Sequence, residues 1–225
     1  MARMKHGPYG PIVGKIGGTV GYIRLGQPIL RVLKHATNKP PTKGQLAARA
    51  KIGLVSGFVA SINEFTNISF KPKSRQTIGK TAQNMAVSAN MASAVMGEYP
   101  DFQLDGTKLV ISEGKLALPP NCAVELEGET LRFSWQGGNL VGFPYSTEQV
   151  MMLAYFPESK RSMAIAGGAR RTAEQDFLPL GRSDDREIPE TCVDTYIAFV
   201  SNDRESVSNG LYLGRIELDP VPAHA

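Results

Sequence analysis

Few residues in this 225-residue chain have the types and spacing that chemistry requires. The three histidines are His6, His35 and His224, and no two of them have metal-ligand spacing. A Ser-His-Asp triad would need one of these terminal histidines to reach across the chain. Cys122 and Cys192 are the only cysteines and form no CxxC motif, which argues against zinc and thioredoxin-like chemistry. They read as two reduced, buried thiols, with a disulfide across the C-terminal half as the alternative. Gly79-Lys80-Thr81 looks like the end of a phosphate-binding loop, but Ser74 stands where that motif needs glycine. Gly17-Gly18 and Gly167-Gly168 lack the strand–turn–helix context of a dinucleotide site. Asp184-Asp185-Arg186-Glu187 is the densest acidic run and lacks calcium-loop spacing. The reading is therefore no enzyme, no cofactor, no bound metal and no small-molecule substrate.

Charge is the stronger signal. Residues 1–100 hold 14 Lys and Arg against two acids, Glu64 and Glu98, whereas residues 101–225 hold 11 against 19. Such asymmetry is a statement about partners. The basic half could meet nucleic acid, or the acidic half of a neighbouring copy. Arg24, Arg31, Lys34, Lys43, Arg49 and Lys51 are the candidate contacts to nucleic acid or to an acidic partner. Ten Lys and Arg precede residue 64, enough for a steeply salt-dependent contact with phosphates. Only Tyr9, Tyr22 and Phe58 there could stack on bases.

The elements that must position these residues follow from local pattern. Residues 1–18 are punctuated by glycine and read as an arm. Thr19–Leu25 and Ile29–His35 read as two short strands about Gly26-Gln27-Pro28. A two-stranded hairpin is marginal in water, so it needs a host sheet, a helix or another subunit. Ile16, Val20, Ile23, Leu25, Leu30 and Val32 are the candidate self-assembly residues. Thr42 and Gln45 form a capping box that opens a helix to about Phe65, with Leu46, Ala50, Leu54, Phe58 and Ile62 on its apolar stripe. Gly53 and Gly57 in that helix would let another backbone come close. Asn67–Lys71 reads as a short strand. A second helix reads from Ser74 to about Met96, capped by Gly97 and stopped by Pro100.

Beyond residue 100 the texture is that of short strands: Lys108–Ser112, Cys122–Leu126, Thr130–Trp135, Val150–Phe156, Met163–Ala166, Phe177–Leu180, Thr191–Ser201 and Leu211–Leu218. Leu131, Phe133 and Trp135 alternate and share an inward face. The fold expectation is α+β. Residues 1–100 form a basic region of arm, β-hairpin and two helices, and residues 101–225 an acidic antiparallel immunoglobulin/fibronectin-like β-sandwich. No apolar run is long enough for a membrane span, and no secretory signal is read at the N-terminus, so synthesis is expected in the cytoplasm.

Several stretches carry a resemblance. Gly14-Lys15-Ile16-Gly17, Asn38-Lys39-Pro40 and Gln45-Leu46-Ala47-Ala48-Arg49-Ala50-Lys51 are similar to the opening of an uncharacterised Bacteroidetes family, a domain of unknown function. Gly97-Glu98-Tyr99-Pro100-Asp101-Phe102 and Ser208-Asn209-Gly210-Leu211-Tyr212-Leu213-Gly214 resemble it further along. The C-terminal half also resembles a fibronectin type III domain, on Leu131-Arg132-Phe133-Ser134-Trp135 and Tyr196-Ile197-Ala198-Phe199-Val200. Neither resemblance implies an activity. The functional expectation is a non-enzymatic structural protein that self-assembles as a filament, ring or phage-like particle. Nucleic-acid binding through the basic region is the alternative.

Overall fold

The structure, a computed structural model, describes residues 3–4, 10–34, 39–137, 147–181 and 190–218. It is an α+β arrangement of four helices and several antiparallel sheets. The chain opens with an antiparallel meander of β1 (Arg3–Met4), β2 (Ile12–Ile16), β3 (Thr19–Arg24) and β4 (Gln27–Val32). The β3–β4 turn centres on Leu25 and Gly26, both at positive φ (49° and 79°), which matches the strand twist in a two-residue turn. The expected strand limits move accordingly. Pro28 belongs to β4, an edge strand with an unpaired side that tolerates a missing N–H. Gly21 is buried because the Ile12 carbonyl crosses over it, and a Cβ would run into that oxygen.

Helix α1 (Lys43–Ser61) starts on the expected capping box: Thr42 Oγ1 accepts from the Gln45 amide (3.3 Å), and Gln45 Oε1 accepts from the Thr42 amide (3.1 Å). Its stripe buries Val55, Phe58, Val59 and Ile62. Gly53 and Gly57 face open space, so neither serves a close backbone approach. Two short helices follow, α2 (Asn63–Ser69) and α3 (Lys71–Arg75). The expected strand at Asn67–Lys71 is thus helical. Phe65 and Phe70 both reach the core from this helical path, and burial of two phenylalanines, about 1.5–3 kcal/mol each, outweighs β propensity. The second long helix is shorter than expected. It is α4 (Ala82–Ser93), started by Thr81 capping Asn84 (3.2 Å), because Gly79 at φ 77° interrupts the path from Ser74. Gly97 turns a small hairpin, β5 (Val95–Met96) with β6 (Gln103–Leu104), instead of capping that helix.

Lys108–Ser112 does not form the expected strand. Its polar backbone groups are met by side chains. Asn90 receives the Val110 N–H and donates to the Val110 carbonyl (both 2.8 Å), and Ser69 donates to the Ile111 carbonyl (2.8 Å). The other seven strand expectations hold, as β7 (Ala123–Glu127), β8 (Thr130–Ser134), β9 (Gln149–Phe156), β10 (Arg161–Ile165), β11 (Gln175–Pro179), β12 (Cys192–Val200) and β13 (Leu211–Glu217).

These strands form two sheets, ordered β11-β8-β7 and β10-β9-β12-β13. Leu131, Phe133, Trp135 and Leu178 of the first meet Val150, Met152, Val193, Ile197 and Phe199 of the second in one apolar cluster. The opposite face of the four-stranded sheet, through Met151, Leu153, Tyr155, Tyr196 and Ala198, packs on α1, α2 and α4. That helix-side cluster runs without a break from Val55 to Val207, across residue 100. Because β9 and β12 are covered on both sides, their residues are almost continuously apolar rather than alternating.

Candidate assembly surface

The N-terminal sheet contributes no residue to either apolar cluster. Among the described residues before Val55, Gly21 alone is buried. Its register sorts the side chains into two faces. Thr19 pairs with Ile16 and Val32, Gly21 with Gly14 and Leu30, and Ile23 with Pro28. This face carries no charge, and its large side chains stay in solvent: Ile16 is 46% exposed, Ile23 44%, Leu30 58% and Val32 69%. On the other face Val20 lies between Lys15 and Arg31, Tyr22 pairs with Ile29, and Arg24 with Gln27. Arg31 sits over the Tyr22 ring at 5.9 Å. One side is therefore an apolar surface, exposed except where Ile12 crosses Gly21, and the other is basic with an aromatic residue within it.

The residues singled out from sequence divide among three places. Ile16, Ile23, Leu30 and Val32 share the apolar face, while Val20 points with Arg24 and Arg31 to the basic one. Leu25 occupies the turn, and Lys34 is exposed just past β4. Lys43, Arg49 and Lys51 lie on α1, so helix and strand cations belong to separate elements. Lys51 is placed over the Phe102 ring, 4.7 Å from its centroid. His6, His35, His224 and the run Asp184–Glu187 lie outside the described residues.

Chemistry elsewhere is committed to structure. Asp194, the only charged residue in the buried strand β12, accepts from Arg215 Nε (2.9 Å) and Nη2 (2.8 Å) and from the Tyr212 hydroxyl (3.1 Å). Burial and the Asp194 charge push the Tyr212 phenol up to about 12. A cleft of about 440 Å³ beside this group, between Leu54, Phe102, Leu104 and Tyr155, finds its carboxylate already neutralised. Glu148 and Arg171 form a pair buried at both partners, at 2.7 Å, and the partly exposed Arg161 holds buried Glu190. A lone acid inside a nine-residue buried strand was the available sequence signal for Asp194. The partners of the other pairs are too far apart in sequence to be matched by inspection. Cys122 and Cys192 are not bonded to each other. Among the described residues no group of three His, Cys, Asp or Glu could hold a metal ion, and no helix is long and apolar enough to cross a membrane.

A family model described as "Family of unknown function (DUF6266)" matches residues 11–214, which includes both faces of the N-terminal sheet. The chain belongs to the DUF6266 family. The resemblance to a family without an assigned function holds at that level. No curated protein and no solved structure matches the chain. The DUF6266 match begins just before β2 and ends within β13, so it takes in β2–β4 of the meander, the helices and both facing sheets.

Proposed function

We propose that this DUF6266 chain is a non-enzymatic structural protein that assembles with copies of itself through its N-terminal sheet. The products would be filaments, rings or a phage-like particle. The observation that carries this reading is the uncharged face of Ile16, Ile23, Leu30 and Val32, exposed to solvent and absent from the chain's own core. Contiguous apolar surface of this kind marks an interaction site. A second copy is the occupant we favour, because the chain carries its own charge complement: a basic first hundred residues and an acidic remainder. The two facing sheets, three strands and four with Trp135 between them, support a fibronectin type III-like sandwich.

The test is light scattering on the full chain and on a chain lacking residues 1–36, with absorbance at 260 and 280 nm. The expected result is a large particle with protein-like absorbance that becomes a folded monomer on deletion. A full-length monomer, or an unchanged particle after deletion, refutes the reading. A second reading, nucleic-acid binding, rests on Lys15, Arg24 and Arg31 around Tyr22. It predicts a monomer that carries nucleic acid and sheds it at high salt.

A further inference from the structure

A second surface in the molecule matches the basic face of the N-terminal sheet. The inner side of the three-stranded sheet is filled by Leu131, Phe133 and Leu178. Its outer side shows Glu125 opposite Arg132, Arg132 opposite Phe177, and Glu127 opposite Thr130. Arg132 bridges both Glu125 and Glu127, so one cation faces two carboxylates. Glu129 is exposed in the turn that joins the two strands, past Gly128 at φ 62°. The surface therefore retains negative charge, and Phe177 stands exposed beside it.

We propose that the outer face of β7-β8-β11 in one copy receives the basic face of the N-terminal sheet of the next. This deepens the assembly reading above and rests on it. The two surfaces match in sign, in architecture and in anchors. Lys15, Arg24 and Arg31 on three adjacent strands meet Glu125, Glu127 and Glu129. In the row Lys15–Val20–Arg31 the two cations stand two strand spacings apart, about 10 Å. Glu125 and Phe177 flank Arg132 at the same spacing. Each surface carries an exposed or half-exposed aromatic, Tyr22 on one and Phe177 on the other, the residue type that anchors interfaces. Since the two surfaces differ, the contact is head-to-tail, and such contacts close into rings or run on as filaments.

Complementary charge reversal tests this on the full-length chain. One variant carries Lys15→Glu, Arg24→Glu and Arg31→Glu. The other carries Glu127→Lys and Glu129→Lys and leaves the Glu125–Arg132 pair in place. Trp135 fluorescence reports whether each is folded. The expected result is that each variant alone needs at least tenfold more protein to assemble, and that a one-to-one mixture recovers wild-type scattering. High salt should weaken wild-type assembly, since both surfaces are exposed. If either folded variant assembles like wild type, or the mixture fails to recover, the pairing is wrong while self-assembly stands. If wild type is monomeric, both readings fall. If the first variant loses only bound nucleic acid and still assembles, the basic face serves a polyanion and the pairing is overturned.

Discussion

Replacing Arg171 with methionine should strip a buried carboxylate of its partner. The guanidinium is buried, with Nη1 2.7 Å from Glu148 Oε2 and 2.9 Å from the Ala117 carbonyl, and it lies over the Phe199 ring at 5.6 Å. Methionine keeps most of the stem and removes the charge. Breaking a buried pair from one side costs about 3–5 kcal/mol. Replacing both partners, as in Glu148→Gln with Arg171→Met, removes the stranded charge. It should cost about 1 kcal/mol for the donor lost by Ala117. The cycle completed with Glu148→Gln alone should thus give a coupling of about 2 kcal/mol or more. The pH dependence sharpens the test. Burial raises the Glu148 carboxyl above its ordinary value of 4.5, and the Arg171 contacts oppose that rise. Without Arg171 the carboxyl rises further. Between 4.5 and its new native value the folded state then binds more protons than the unfolded one, so stability grows as pH falls. Urea denaturation followed by Trp135 should show the Arg171→Met deficit shrinking from pH 7 to pH 5. Equal losses in the single and double variants, or a deficit flat in pH, would refute the argument.

Two smaller predictions follow from packing. Gly53→Ala with Gly57→Ala should stabilise α1, because a Cβ at either position meets open space and alanine is better by about 0.5–1 kcal/mol per site; an unchanged or lower melting temperature would count against α1 as described. Burial pushes the Cys122 thiol up to about 11 against the opposing Arg171 charge, leaving about a thousandth as thiolate at pH 8. Iodoacetamide should therefore label it slowly until the chain is unfolded, and labelling at the unfolded rate in native protein would contradict that burial.

What could be read from sequence was what depends on neighbours along the chain. Seven strands after residue 120 emerged from turn residues and from runs such as Val150–Phe156, and α1 from Thr42, Gln45 and a stripe every four residues. The structure departs from local pattern where distant groups decide. Leu109–Ser112 has strand-like composition, yet Asn90 and Ser69 satisfy its backbone, so it needs no ladder. Asn67–Lys71 favours a strand locally, yet burial of Phe65 and Phe70 in the core shared with α4 makes it helical.

The same division governs the surface. The excess of cations before residue 64 is a count and needs no structure. Which cations act together depends on register: a one-residue slip in β3 would exchange Val20, Tyr22 and Arg24 with Thr19, Gly21 and Ile23, placing charge among the exposed aliphatics. The turn at Leu25-Gly26 and the close passage of Ile12 over Gly21 hold that register. The complementary face is harder still to see, since Glu125, Arg132 and Phe177 come from strands that meet only when two hairpin partners and a distant third strand pair. An interface made of two such faces therefore depends on two registers at once. This is why the charge-reversal mixture tests the structure as well as the function: the variants recover together only if both faces carry the side chains that these pairings assign to them.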